Sequence, residues 1–100
     1  MKKDISIYDF FTLYQTNDDL LVLDVRNDTQ FNEYHIPGSI NYPGDLIQYN
    51  ANPLRMIAKP YYVIDYNDEM AESVCNYLDT LGYDTICVYG GIKRWMGEFN

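Results

Sequence analysis

Three carboxylates lie just after a short apolar run, and their types and spacing could support chemistry. Asp65 directly follows the run 61–64, and Asp68 and Glu69 come soon after it. A carboxylate nucleophile in phosphoryl or ester chemistry needs a nearby cation or metal, and residues 65–71 include neither lysine nor arginine. Clustered acids also suit hard cations. The favoured interpretation is structural: Asp65 accepts bonds from its own loop, and the other two acids begin a solvated helix.

Cys75 and Cys87 are the only cysteines and could act as sulfur nucleophiles. Cys75 lies on the apolar face of a predicted helix and Cys87 lies inside a predicted strand, where small buried cysteines are usually inert. Their number and spacing fit neither a disulfide framework nor a zinc site. Residual sulfur transfer through either cysteine is kept as an alternative that requires an accessible thiol.

A second polar group lies at the end of another apolar run. Asp24 and Arg26 lie at this end, and Glu33 follows a few residues later. We expect Arg26 to bridge the two carboxylates in a network that supports the fold and performs no catalysis.

The elements that position these groups are strands and one strong helix. Apolar runs at 20–25, 61–64 and 85–89 are typical of central strands that are covered on both faces. Between the last two, Asp68 can cap a helix whose end is marked by Gly82. Its apolar face consists of Ala71, Val74, Cys75, Leu78 and Leu81. Such a strand–helix–strand unit predicts a right-handed crossover and a parallel pair.

Weaker helices are predicted at 8–14, with Asp4 or Ser6 near the start, and at 28–34 and 92–97. The stretch 42–58 is ambiguous, although Leu46 and Ile47 could begin a short helix. Alternating strands and helices predict a three-layer α/β domain that spans residues 1–100, with a mostly parallel central sheet and helices on both faces.

Composition narrows the function classes. Of the 100 residues, 47% are hydrophobic and 16% aromatic, which is enough for one packed core. The 15 acidic residues outnumber 7 lysines and arginines, for a formal net charge of −8. Such a surface repels phosphate backbones and anionic lipids, so neither nucleic acid nor membrane is an expected partner.

The first residues, Met-Lys-Lys-Asp, are followed by no sustained apolar region, and no run approaches the length of a membrane span. We therefore expect a cytoplasmic protein in which both cysteines stay reduced.

The ordered motifs resemble the rhodanese family along nearly the whole chain. The first stretch is similar to the family's Asp-Val-Arg segment and its Gly-His-Ile-Pro-Gly-Ala signature, and here contains Asp24-Val25-Arg26, Phe31, Glu33 and His35-Ile36-Pro37-Gly38. The second is similar to the family's strand, active-site loop, helix and closing Gly-Gly-Ile-x-x-Trp, and here contains residues 61–71, Gly82-Tyr83, Gly90-Gly91-Ile92 and Trp95. The resemblance implies the rhodanese-like fold, and it implies that His35 holds its loop through hydrogen bonds.

The departures from the family pattern bear on activity. In active members a cysteine after the second strand carries sulfur as a persulfide, within a loop that usually contains glycine and arginine or lysine. Here the cysteine position holds Asp65, and the loop continues as Tyr66-Asn67-Asp68-Glu69-Met70 with methionine at the usual arginine position. Tyr34 also replaces the glycine before the histidine, where we expect its ring at the pocket mouth.

The sequence thus predicts a catalytically inactive rhodanese-like domain that acts as a binding or regulatory module. Its vestigial loop, Asp65–Met70, is the expected docking edge for a protein partner or small ligand, and Asp24, Arg26, Glu33 and His35 form its structural surroundings. No cofactor or metal is expected. The alternatives are a hydrolase or metal-dependent enzyme that uses Asp65, and a sulfur carrier through Cys75 or Cys87.

Overall fold

The apolar runs form the centre of a five-stranded sheet in the computed structural model, which describes residues 3–99. The strands are β1 (Lys3–Ser6), β2 (Leu21–Asp24), β3 (Ile40–Asn41), β4 (Tyr61–Ile64) and β5 (Thr85–Tyr89). They are ordered β1-β5-β4-β2-β3, and every neighbouring pair is parallel. The three strands predicted from apolar runs are confirmed as β2, β4 and β5, the three central strands.

The two edge strands were not predicted from the sequence. β1 is mostly exposed and polar, and β3 has only two residues. A short edge strand contacts the core on few positions, so its sequence lacks the continuous apolar run that marks a central strand.

Five helices connect the strands: α1 (Ile7–Thr16), α2 (Asp28–Glu33), α3 (Gly44–Tyr49), α4 (Glu69–Thr80) and α5 (Gly91–Phe99). The Ser6 hydroxyl accepts a hydrogen bond from the Asp9 N–H at 3.1 Å, so Ser6 is the N-cap of α1. The ambiguous stretch 42–58 contains α3, which begins before Leu46.

The helices cover both faces of the sheet. On one face, α3 and α4 pack through residues such as Ile47 and Val74 against Val63 of β4. On the other, α1 and α5 pack through Phe10 and Trp95 against their side of the sheet. The three-layer α/β fold predicted from the sequence is therefore confirmed.

The end of α4 matches the prediction at Gly82, whereas Leu81 differs. Gly82 has a φ of 91°, its N–H donates to the Asp79 carbonyl, and the Tyr83 N–H donates to the Leu78 carbonyl. This is a Schellman motif. The prediction that Leu81 belongs to the buried face is wrong, since its side chain is 43% exposed. The helix ends one residue earlier, so Leu81 no longer follows the helical periodicity.

Candidate functional site

The loop after β4 is fixed against the beginning of α5. The Asp65 carbonyl accepts a hydrogen bond from the Ile92 N–H at 2.8 Å, and the Tyr66 carbonyl accepts one from the Lys93 N–H at 3.0 Å. These two bonds engage amides in the first turn of α5, which otherwise have no partner within the helix. These two backbone hydrogen bonds therefore hold the loop after β4 against α5.

Glycine at position 91 is what allows this close approach. Its φ is 65°, and a β-carbon built there would lie 2.3 Å from the Tyr66 carbonyl oxygen and 2.7 Å from that of Asp65. Both the left-handed conformation and the contact exclude a larger side chain. The Gly90-Gly91 motif found in the sequence thus positions the loop at Asp65.

The Asp65 carboxylate is turned into its own loop. Oδ1 accepts a hydrogen bond from the Tyr66 N–H at 2.7 Å, and Oδ2 accepts one from the Met70 N–H at 2.9 Å. The residue is only 9% exposed. The backbone donors that converge here are therefore occupied by a carboxylate of the protein itself, as the structural interpretation of Asp65 expected.

Opposing effects act on the pKa of the Asp65 carboxyl. Burial, the largest effect, raises the pKa of the carboxyl, and the negative charge of Asp24 raises it further. Hydrogen bonds from the Tyr66, Met70 and Ala71 amides lower it, and the net direction is upward. The loop thus stabilises the charge of Asp65 only in part.

Asp68 occupies the N-cap position of α4, but the prediction that its side chain caps the helix is wrong. Its Oδ1 instead accepts a hydrogen bond from the Gly90 N–H at 3.0 Å. The residue has helical φ and ψ angles of −103° and −9°, whereas a capping side chain generally requires an extended backbone. Asp68 therefore ties the loop to the end of β5, while Glu69 is exposed.

Two cavities flank this loop and share Asn67. A cavity of about 280 Å³ lies beside Asp65 and is also lined by Gln48, Asn67, Glu69, Met70 and Ser73. The second, of about 320 Å³, is lined by Asn67, Asp68, Gly90, Lys93, Arg94, Gly97 and Glu98.

Sequence reasoning missed the contributions of α3 and α5 to these cavities. Gln48 reaches the first through a 2.8 Å hydrogen bond to Ser73, and Lys93 and Arg94 line the second. The segment that contains α3 carries no clear signal, and the Gly-Gly turn before α5 is the one feature from which its contact with the loop could have been predicted. The two cations lie in the cavity that Asp65 does not line.

Asp24 and Arg26 form a buried ion pair at the end of β2. The guanidinium donates to the Asp24 carboxylate through Nε and Nη2, with the shortest contact at 2.8 Å. Asp24 is 0% and Arg26 6% exposed. Nη2 also donates to the Tyr34 carbonyl at 2.6 Å, so the guanidinium joins the strand end to the loop after α2.

Glu33 was expected in this network, and that expectation is wrong. Its side chain is exposed at the end of α2. The second acceptor of Arg26 is the backbone carbonyl of Tyr34, which saves the cost of burying another carboxylate.

His35 lies just after α2 and is held by contacts with Phe31 of that helix. Its ring stacks on Phe31 at a centroid distance of 3.8 Å, and Nδ1 donates to the Phe31 carbonyl at 2.8 Å. The Tyr34 ring was expected at the pocket mouth, but it is partly buried against the core on the α1–α5 side, where its hydroxyl accepts a 2.7 Å hydrogen bond from Trp95. A phenol in a core of this kind needs such a partner.

Cys75 and Cys87 are both 0% exposed in the core between α4 and the sheet. Neither sulfur can meet a solvent-borne reagent unless the core opens. Among residues 3–99, no group of three or more His, Cys, Asp or Glu side chains is arranged to hold a metal ion. Within the same residues no helix is both long and apolar enough to cross a membrane.

Comparison with known proteins identifies the family. The protein-family model described as "Rhodanese-like domain" matches residues 12–98. The chain belongs to the rhodanese-like family. The match begins within α1 and ends within α5, so it includes the Asp65 loop and the buried ion pair.

Several known proteins are similar to this chain along almost their full length. A putative sulfurtransferase of Bacillus subtilis, YtwF, is 30% identical over 100 residues, which cover 96% of this chain and 92% of that protein. A rhodanese-related protein from Thermoplasma volcanium has a crystal structure with a TM-score of 0.85 and 27% identity, and the match covers 97% of this chain and 93% of that one. The structure of SSP1007 from Staphylococcus saprophyticus, 24% identical with a TM-score of 0.86, shows the same fold and covers 97% and 96% of the two chains.

Proposed function

We propose that this chain is a catalytically inactive rhodanese-like domain that acts as a binding or regulatory module. The observation that carries the proposal is the Asp65 carboxylate, which takes hydrogen bonds from the Tyr66 and Met70 amides of its own loop. The resemblance of the motifs implies that this residue stands at the position of the family's sulfur-carrying cysteine. A carboxylate cannot form a persulfide, so the family's route is closed at its first step.

The loop also opposes an anionic sulfur donor. Converging backbone amides at the start of a helix attract anions and lower the pKa of a thiol placed among them. Here the Tyr66 and Met70 amides are occupied by Asp65, and the exposed Glu69 adds negative charge at the rim of the same cavity. Thiosulfate would have to displace one anion and approach another.

The edge Asp65–Met70 offers a docking surface to a partner. The Tyr66 side chain is 42% exposed, and Asn67 and Glu69 are exposed beside it. An exposed tyrosine supplies contact area at low entropic cost. Because two backbone hydrogen bonds from α5 fix Asp65 and Tyr66, this surface is preorganised, which favours binding of a protein or small ligand.

Among residues 3–99, no contact favours the alternatives. Use of Asp65 in hydrolysis requires a cation beside it, and the cavity that it lines contains no lysine or arginine. Sulfur transfer through Cys75 or Cys87 requires exposure of a thiol that is fully buried. A cytoplasmic location, expected from the sequence, belongs to the proposal as well.

The test is intact-mass spectrometry after incubation with thiosulfate, read for a sulfur adduct that cyanide removes. We compare the wild type with an Asp65→Cys, Met70→Arg double variant, which restores the family's thiol and cation. The expected result is no adduct on the wild type and one on the double variant. Asn67→Cys is the matched control, because it places a thiol in the same loop but away from the Tyr66 and Met70 amides that bind the Asp65 carboxylate. This variant should stay unmodified.

A cyanide-labile adduct on the wild type would overturn the proposal, since only Cys75 or Cys87 could carry it. An adduct on Asn67→Cys as large as that on the double variant would show that any thiol of the loop reacts. In that case the position of the thiol among the Tyr66 and Met70 amides would not explain why the double variant reacts and the wild type does not.

A further inference from the structure

We propose a second binding site, remote from the Asp65 loop, for a small apolar carboxylate, with Arg55 as the group that binds the anion. The site is a cavity of about 290 Å³ between the β2–β3 edge and the segment that leads into β4. It is lined by Leu23, Ile40, Asn41, Tyr42, Pro53, Leu54, Arg55 and Tyr61. Tyr61 begins β4 and Asp65 follows its last residue, which separates the two sites by about 13 Å along the strand.

The wall of this cavity is apolar although it includes two tyrosines. The Tyr61 hydroxyl donates to the Arg55 carbonyl at 2.7 Å, and the Tyr42 hydroxyl donates to the Asn50 carbonyl. The Asn41 amide donates to the carbonyls of Asp24 and Arg26. Since these donors are already engaged, what they present to the cavity is mainly ring and aliphatic surface, together with Ile40, which is 48% exposed.

Arg55 is the exception in this wall. Four other cations of the described chain, Lys3, Arg26, Lys59 and Arg94, form ion pairs. Within residues 3–99, no carboxylate lies at ion-pair distance from the Arg55 guanidinium. A guanidinium has five N–H donors in a fork that matches a carboxylate, so this side chain has unused capacity for an anion.

The local charge supports an anionic ligand in a chain that otherwise repels anions. Among the residues that line the cavity none is acidic and Arg55 is the one cation, whereas the whole chain carries a net charge of −8. Burial and then Tyr83 raise the pKa of the Tyr61 phenol, and the backbone hydrogen bond to Arg55 and, after it, the charge of Arg55 oppose this shift without reversing it.

The volume and lining define the ligand class. A cavity of about 290 Å³ is at the lower limit of small-molecule sites, about 300 Å³. It suits one ring or a short branched chain that is buried against Ile40 and Leu54, with one carboxylate directed at Arg55. A larger or multiply charged anion would be repelled by the acidic surface of the rest of the molecule.

The test is titration of the ¹⁵N-labelled protein with phenylacetate, followed by amide chemical shifts, with phenylacetamide as the uncharged probe. We expect saturable shifts at residues 40–42 and 53–61 in the millimolar range, and weaker binding of the amide. Arg55→Gln should weaken phenylacetate binding about tenfold, as expected for loss of a hydrogen bond to a charged group. Lys93→Gln is the matched control, since Lys93 is also exposed and lines a different cavity, and it should leave the affinity unchanged.

Three outcomes would overturn the proposal. The first is the absence of saturable shifts in the segments 40–42 and 53–61. The second is equal binding of phenylacetate and phenylacetamide, or binding that Arg55→Gln leaves unchanged, since either shows that the guanidinium does not hold the ligand. The third is an equal loss of affinity in Lys93→Gln, which would show that the effect comes from the net charge of the protein.

Ile40→Ser tests the apolar wall at a half-exposed side chain. It should weaken the binding of both probes alike if the wall contributes.

Discussion

Two aspartates at the carboxyl ends of neighbouring strands show two ways of burying a carboxylate. Asp24 ends β2, and its partner in the strand register is Ile64, the residue before Asp65. Asp24 is 0% exposed and is paired with the Arg26 guanidinium at 2.8 Å. Asp65 is 9% exposed and receives hydrogen bonds from backbone amides. The first charge is neutralised by a cation, while the second is stabilised only by dipoles.

This difference separates the part of the site that holds the fold from the part that stays sensitive to its surroundings. A buried charge with a paired cation is costly to disturb but offers nothing to a ligand, because both members of the pair are satisfied. A buried charge held only by amides remains sensitive to its surroundings, as the raised pKa of Asp65 shows. Three substitutions, two of them with matched controls, test this contrast.

The largest effect is expected from Arg26→Met. The change leaves the Asp24 carboxylate buried without its cation, which typically costs about 3–5 kcal/mol of the free energy of unfolding. The Tyr34 carbonyl also loses its donor. Urea unfolding followed by circular dichroism measures the change.

Glu33→Gln is the matched control for Arg26→Met, because this exposed carboxylate was expected in the network and is absent from it. We expect its free energy of unfolding to stay within about 0.5 kcal/mol of the wild type. A large loss in Glu33→Gln would mean that Arg26 does bridge two carboxylates in solution. A small loss in Arg26→Met would mean that water reaches Asp24.

An intermediate effect is expected from Gly91→Ala, which tests how the Asp65 loop is held. The left-handed φ of 65° costs about 1–3 kcal/mol for a residue other than glycine, and the new β-carbon would meet the Tyr66 carbonyl oxygen at 2.3 Å. Gly97→Ala in the same helix meets no atom of the described residues within 4 Å, and we expect it to stabilise the protein by about 0.5–1 kcal/mol. Thermal unfolding of the two variants gives both values. Equal destabilisation of both would argue against the close contact at Gly91.

The contrast between the two aspartates was only partly accessible from the sequence. The apolar runs of β2, β4 and β5 and the ordered motifs located both carboxylates at strand ends, and the interpretation of Asp65 as a loop acceptor agrees with its hydrogen bonds. Which partner each acid takes depends on backbone geometry that periodicity does not encode. Asp68 therefore binds the Gly90 amide instead of capping α4, and Arg26 binds a carbonyl instead of Glu33.

The cavities were less predictable than the strands. The cavity beside Asp65 needs Gln48, which a hydrogen bond to Ser73 positions at a sequence distance of 25 residues. The Arg55 cavity needs β3, a two-residue edge strand without an apolar run. Both depend on tertiary contacts of segments whose local sequence carries little secondary-structure signal.

The smallest effect is expected from Asp65→Asn. The substitution keeps the shape of the side chain, but its NH₂ group must face one of the two amides that now donate to the carboxylate. One backbone N–H loses its acceptor, which costs about 1 kcal/mol, the low end for an unpaired buried donor. Urea unfolding at neutral pH measures this change.

The pH dependence of the same variant tests the balance at Asp65 directly. Because the pKa of Asp65 is raised in the folded protein above 3.8, the folded state binds the proton more tightly than the unfolded chain. The contribution of Asp65 to stability is therefore fully present below about 3.8 and is lost as the pH rises through the folded pKa. Subtracting the profile of Asp65→Asn from that of the wild type should give a difference that falls with rising pH. A difference that rises instead would mean that the Tyr66 and Met70 amides stabilise the charge by more than burial costs, and Asp65 would then resemble Asp24 in being fully compensated.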